Sequence, residues 1–164
     1  MATATQVPEE AAVRATLEKF MAAQEARDIA KAMECFADDA VVETVQGIFR
    51  GKKAIAGRSE WEFKTLREVT YEPRGVGHQI CGSMSVFEGV LRGTNSDGYD
   101  FEAPVLVVSE FDESGKITRM SSLFNEWTLV KQAATQLSGL GGAFYRLFTG
   151  RIDSEMHKGV PTQS

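Results

Sequence analysis

The hydrophobic pattern of this chain changes period once, and that change narrows the possible folds more than any short motif does. Before Leu66, apolar residues recur at helical spacing: Val13, Leu17, Phe20 and Met21 share a flank continued by Gln24, with Arg14, Glu18 and Lys19 between them. After Leu66 the pattern reads as four long strands, near 67–77, 80–93, 99–111 and 116–127. Gly77-His78-Gln79, Asn95-Ser96-Asp97-Gly98 and Asp112-Glu113-Ser114-Gly115 lie between them as turns. Helices first and a run of antiparallel strands after is the α+β order.

Residues 1–8 read as a flexible lead. Pro8, Glu9 and Glu10 open the first helix, because acids favour the positive end of the helix dipole. Asp28 is placed to cap a second helix in which Ile29, Ala32, Met33 and Phe36 share a face. The stretch FADDAVVETVQGIFRGKKAI, residues 36–55, joins this helical part to the strands. Asp38 and Asp39 suggest a turn, the β-branched residues Val41, Val42, Thr44 and Val45 a strand, and Gly47 and Gly51 a short reversal. A third helix from Lys53 to about Leu66 carries Trp61 and Phe63.

A chain of 164 residues suits one domain, and roughly 70% of its unfolded surface can be buried. The net charge of −5 gives a nucleic-acid partner no electrostatic support. Cys35 and Cys81 read as reduced residues of a cytoplasmic protein rather than a disulfide framework. No apolar run reaches the ~20 residues of a membrane span, so stable membrane insertion is not expected. The opening MATATQVPEE lacks the basic-then-apolar order of a signal peptide. His78 and His157 lie far apart, and no metal-ligand cluster or phosphate loop is present in the pattern, so neither metal nor cofactor is expected.

The order helix, FADDAVVE, strand, GKKAI, the LRGTNSDG hairpin and the segment FEAPVLVVSEFDESGKITRMSSLFNEW together resemble the nuclear transport factor 2-like superfamily. That group includes ketosteroid isomerases, SnoaL-like polyketide cyclases and limonene epoxide hydrolases. The resemblance covers roughly residues 9–130. It implies a cone-shaped curved β-sheet wrapped round the N-terminal helices, with a pocket inside the cone and a homodimer as the assembly. The family's acids do not survive the comparison. The tyrosine, base and oxyanion acid of the isomerases fall on Phe20, Thr44 and Val107. The arginine and two aspartates of the epoxide hydrolases fall on Phe87, Gly89 and Ser122, and the cyclases' acidic residue again on Val107.

Carried on by strand alternation, those positions point Val42, Thr44, Phe87, Val107, Ser109, Met120, Ser122 and Phe124 inward, with Phe20 and Gln24 looking in from the first helix. Trp61 and Trp127 are candidates for the pocket mouth. Such an apolar chamber suits a hydrophobic small molecule held by one or two hydrogen bonds. Thr44 and Ser122 are the weak catalytic candidates. Glu88 and Glu102 enter only if a bulge, marked by Pro104, shifts the register by one residue. His78 reads as a turn residue, entering the site only in a different register.

The segment 131–150 extends beyond the domain as a helical extension. Leu129, Ala133, Leu137, Leu140, Phe144, Leu147 and Phe148 form an apolar stripe broken by Gly139, Gly141 and Gly142. It is expected to pack on its own domain or a partner subunit, or to cover the pocket. Lys131, Arg146 and Arg151 supply too little basic charge for a membrane-surface helix. Residues 151–164 are expected to be disordered. The expectation is a cofactor-independent isomerase, cyclase or lyase for a polyketide, terpenoid or steroid-like molecule, or else a ligand-binding or dimeric interaction domain without turnover.

Overall fold

The computed structural model describes residues 8–156. Its elements run α1 (Glu10–Glu25), α2 (Ile29–Glu34), β1 (Phe36–Thr44), β2 (Gly47–Arg50), α3 (Gly51–Thr65), β3 (Leu66–Cys81), β4 (Met84–Asn95), β5 (Asp100–Phe111), β6 (Ile117–Phe124), α4 (Glu126–Gln136) and α5 (Gly139–Met156). The strands form one curved, unclosed sheet in the order β2-β1-β6-β5-β4-β3. Only β1 and β6 are parallel; the other neighbours are antiparallel. The α+β expectation holds.

Local chemistry explains the helical part. Asp28 caps α2, its Oδ1 accepting from the Lys31 amide at 3.0 Å. Arg27, at a left-handed φ of 53°, sends its guanidinium to the C-terminus of α3. There it donates to the carbonyls of Phe63 and Leu66 at 2.8 Å each, and to that of Arg67, and lies 5.5 Å over the Phe63 ring. The Phe63 carbonyl is among the ones a helix end leaves without an internal donor, and those of Leu66 and Arg67 begin β3. Val13 and Leu17 from α1 meet Phe36, Val42, Ile55, Phe111, Ile117 and Met120 in the core.

Three local expectations are corrected. Asp38 and Asp39 lie within β1, where a register shift between Phe36 and Val41 takes the place of a turn. Gly47–Arg50 is a strand, β2, and Gly51 begins α3 at a φ of +76°. The turn placed at Gly77-His78-Gln79 is not a reversal: β3 continues to Cys81 and the chain turns at Gly82 and Ser83. Gly75 and Gly77, with φ of +60° and +61°, instead accommodate a register shift between Pro73 and His78.

The C-terminal helices dock in an unusual way. Beyond Val105, β5 has no β6 residue beside it. Gln132 and Gln136 of α4 fill that place. Gln132 accepts from the Glu102 amide at 2.7 Å and donates to its carbonyl at 2.6 Å. Gln136 accepts from the Asp100 amide at 2.9 Å and donates to its carbonyl at 2.5 Å. Four residues of helix rise about 6 Å and two of strand about 6.8 Å, so one amide pair per helical turn can follow alternate strand residues. The two glutamines thus mimic a further strand and cover an edge that would otherwise expose unpaired backbone. Past the break at Leu137 and Ser138, Gly139 has a φ of +68°, and α5 folds back on α4. Arg146 donates to the carbonyls of Ala134 and Leu137 at 3.2 and 2.9 Å, capping α4. The outer stripe of α5 is uncovered: Leu140 is 92% exposed, and Phe144, Leu147 and Phe148 more than half. Helix continues to Met156 where disorder was expected from residue 151; the rest of the expected tail, and the lead before Pro8, lie outside the described residues.

Replacing both Gln132 and Gln136 with alanine should cost about 1–3 kcal/mol, four exposed hydrogen bonds at roughly 0.5–1.5 kcal/mol each being discounted for solvent competition. The loss should appear in denaturant melts together with a greater tendency to aggregate. A variant as stable and soluble as the parent would show that the edge needs no cover.

Candidate functional site

The pairing of β4 with β5 is unbroken, from Met84 opposite Glu110 to Thr94 opposite Asp100. Side chains alternate between faces along each strand, so this register sorts the sheet into two surfaces. On the helix-facing surface, one cross-strand row is Ile80, Ser85, Ser109, Met120 and Val42. The next is His78, Phe87, Val107 and Ser122. Beyond it Gly89, Val105 and Phe124 align, then Tyr71, Leu91 and Ala103. The first row is core: Val42, Ser85, Ser109 and Met120 are buried. Phe87, Val107, Ser122 and Phe124 are only half-buried, as are Phe20 and Gln24 on α1. The wall is therefore least covered along the second row and at Phe124, while Gly89 and Val105 of the third row are buried. Phe20 packs edge-on against Phe36 with centroids 5.5 Å apart, closing the inner end.

Glu88 and Glu102 fall on the other surface, opposite Leu106 and Arg92. The bulge that would bring them in is absent. Pro104 keeps the register opposite Val90, one residue before the pairing with β6 begins, so its missing N–H leaves no gap in that ladder. Glu102 is paired with Arg92 at 2.7 Å, and Arg92 also reaches Glu72. The hydrogen bond to Arg92 holds the Glu102 carboxyl below its usual range. A second cluster on this surface joins Arg119 to Glu43 at 2.8 Å and to Glu110 at 3.2 Å, with Ser121 donating to Glu43.

Thr44 is on the expected strand, yet its hydroxyl is taken by Gln46, which it meets through both side chain and amide at the β1–β2 turn. Ser122 has no hydrogen-bond partner among the described residues and sits in the half-buried row. Trp61 is 50% exposed on the flank of α3, away from the more buried stripe of Ile55, Arg58, Ser59 and Glu62. The side chain of Trp127 and all of His157 lie outside the described residues.

His78 comes to the helix-facing surface through the register shift in β3. Its ring is edge-on to Phe87, centroids 6.0 Å apart, and Tyr71 flanks the same phenyl ring at 6.2 Å. Gly89 makes this possible: a Cβ there would lie 2.5 Å from Cζ of Phe87, so the ring occupies the space that a side chain would fill. Burial lowers the His78 pKa, with a smaller contribution from the charge of Arg14. Burial pushes the Tyr71 phenol up to about 12, with Glu62 adding to the effect and Arg58 opposing it. Tyr71 is still 43% exposed as a residue, a ring open to water on one side and surrounded by protein on the other. An inward stripe on α3 adds two groups that strand alternation does not reach, Arg58 and Glu62, which pair at 2.8 Å with side chains 16% and 15% exposed. Among the described residues no group of three or more His, Cys, Asp and Glu is placed to hold a metal ion.

Because folding depresses the His78 pKa below its ordinary 6.5, the group contributes nothing to pH dependence at higher pH, where it is neutral in both states. Below 6.5 the unfolded chain binds a proton that the folded chain resists, and stability falls until the folded pKa is passed. His78→Gln should therefore lose less melting temperature than the parent between about pH 7.5 and about pH 5. Parallel melting curves would show that His78 titrates alike in both states.

The SnoaL-like domain model matches residues 17–120. No curated protein is a significant sequence match. Solved structures show the same fold. A putative SnoaL-like polyketide cyclase from Shewanella denitrificans superposes with a TM-score of 0.67 at 13% identity, over 75% of this chain and 97% of the other. An NTF2-like protein from Burkholderia xenovorans gives 0.65 at 17%, over 79% and 98%. TerC, co-crystallised with polyporic acid, gives 0.65 at 17%, over 74% and 97%. With its family model spanning most of the chain and its helices preceding a curved open sheet, the protein belongs to the SnoaL-like domain family within the NTF2-like fold.

Proposed function

We propose that the helix-facing surface of the sheet holds a hydrophobic small molecule, of polyketide, terpenoid or steroid-like size, and that the protein isomerises, cyclises or eliminates within it without a cofactor. The observation that carries this reading is that His78 and Tyr71, both exposed, each stand edge-on to the half-buried ring of Phe87. A neutral imidazole is suited to accept a proton from an activated carbon or hydroxyl near pH 7. A phenol held protonated is suited to donate to the oxygen on which charge develops. Phe20, Phe87, Val107 and Phe124 would orient the apolar body and keep water from the reacting atoms. The crystallised complex of TerC with polyporic acid agrees with a ligand-holding role for this fold.

A binding or interaction domain without turnover is the second reading, favoured by the apolar surface that the monomer leaves uncovered. Leu106 and Leu123, opposite one another on the outer face of the sheet, are 38% and 59% exposed. We take this face, between the two arginine clusters, as the contact of a homodimer. The domain proper is taken as residues 9–130, with the remainder of α4 and α5 as an extension. No helix among the described residues is long and apolar enough to cross a membrane. The free thiols of Cys35 and Cys81 support a reducing, cytoplasmic setting.

Two experiments test the reading. Phe87→Ala should weaken binding of the apolar dye phenylnaphthylamine by roughly tenfold, as removal of a large ligand-facing side chain does, while Leu106→Ala leaves it unchanged and Leu106→Glu gives a monomer in sedimentation. The reverse pattern would move the ligand to the outer face. In a ketosteroid isomerase assay the protein should be inactive at useful rates, because Phe20, Thr44 and Val107 put no base or oxyanion donor where those isomerases hold theirs, His78 and Tyr71 stand on β3 instead, and a single oxyanion donor is worth ~10²–10³ in rate. Rates like those of the ketosteroid isomerases would overturn that comparison of positions.

A further inference from the structure

α5 lies beyond residues 17–120, the part of the chain that the domain family accounts for, and it is docked with its apolar side outward. Toward α4 it turns Gly142 and Thr149, both buried, and Arg146, whose guanidinium caps the α4 carbonyls. Gly142 sits so close that a Cβ there would lie 2.1 Å from the Leu137 carbonyl oxygen. Thr149 donates its hydroxyl to the Tyr145 carbonyl at 2.9 Å, and so is satisfied within its own helix. The opposite side carries Leu140, Phe144, Leu147 and Phe148, at the spacing of a core-facing stripe. All four are more than half exposed. A surface helix ordinarily sets its large apolar residues against the domain and its small and polar ones outside; α5 does the reverse. The stripe exposes roughly 500 Å², at the upper end of the apolar patches that monomers leave to water.

We propose that the α5 stripe pairs with the α5 stripe of a second copy of this chain, antiparallel across a two-fold axis at Phe144. Leu140 and Phe148 each stand four residues from Phe144, so the pair sets Leu140 of one copy beside Phe148 of the partner subunit, with the two Phe144 rings at the centre. Large apolar residues then meet one another along the whole stripe. Phe144 and Phe148, nearly parallel with ring centroids 6.3 Å apart, form neighbouring ridges of the kind that interdigitate between helices. The pair removes roughly 1,000 Å² from water, the smallest area at which a specific interface is expected. A single pair therefore holds two chains weakly, and two formed at once between dimers joined by their sheet faces hold more firmly. An anionic membrane surface is a poorer match. With Arg146 engaged on α4, Arg151 is the basic side chain left on α5, and the chain carries a net charge of −5. The contact involves neither the ligand chamber nor the Leu106 face.

Sedimentation equilibrium of the full chain, over a concentration series reaching the millimolar range, compares the parent with the double variant Phe144→Glu, Leu147→Glu. Both side chains point into water in the single chain, so the melting curve should be unchanged. At the top of the series the parent should weigh twice as much as the variant, whether the lower state is the sheet-face dimer or the monomer. Thiol cross-linking then tests which surface the stripe meets. In a Cys81→Ser chain, where the remaining Cys35 is buried, a short bismaleimide should join Phe144→Cys to a second copy. Gly150→Cys, six residues along and so ~18 Å from its counterpart in the antiparallel pair, should stay unlinked. Equal masses for parent and variant would overturn the proposal. So would equal cross-linking at the two positions, or none at either, because the stripe would then meet some other surface. A variant of unchanged mass that binds phenylnaphthylamine more tightly would make α5 a cover for the chamber and overturn it too. If the glutamates prevent folding, Phe144→Ser with Leu147→Ser takes their place, and the same halving of mass is expected.

Discussion

The register between β4 and β5 decides which chemistry the interior of this protein contains. Eleven consecutive pairs, from Met84–Glu110 to Thr94–Asp100, run without a shift. A displacement of one residue would exchange the two faces. Glu88, Glu102 and Arg92 would then line the interior, and Phe87, Leu91, Ala103 and Val105 would face water. The unbroken ladder keeps the carboxylates outside, where they join arginines across strands, and keeps the inner wall apolar. Burying unpaired carboxylates would be costly, so the pattern of polar and apolar residues and the register reinforce one another.

Irregularity is concentrated in β3, and it shapes the candidate site. The shift between Pro73 and His78 turns an imidazole toward the wall, and Gly89 on β4 leaves room for the Phe87 ring beside it. β3 is an edge strand, where bulges are common and often aim a side chain. The stretch of β5 that β6 leaves open is covered by the glutamine pair of α4 rather than by a strand. The α4–α5 hairpin built upon it still presents an apolar stripe to solvent.

The inward set on β1, β4, β5 and β6 was legible in the sequence because alternation with period two needs only one correct anchor. Val42, Phe87, Val107, Ser109, Met120, Ser122 and Phe124 all follow from it. The β3 residues did not follow. Gly77-His78-Gln79 carries the signature of a reversal, and glycine serves equally well at a bulge, where a positive φ is needed without a change of direction. Only the pairing with β4 distinguishes the two. Arg58 and Glu62 could have been found: with Ile55 and Ser59 they mark an inward helical stripe. Charged residues at i and i+4 ordinarily read as a solvated pair, and only tertiary contact shows that this one is turned inward. The roles of Gln132 and Gln136 depend on where a second element ends, which no local pattern records.

The central claim is that ligand meets the helix-facing side of the sheet, and parity along β4 tests it directly. A residue-resolved NMR titration of the full chain with phenylnaphthylamine reads each strand position separately. Side-chain shifts should grow at Phe87, at Val107 and Ser122 beside it and at His78, with little change at Val86, Glu88 and Leu106. Shifts confined to the second set, or to the stripe of α5, would contradict it.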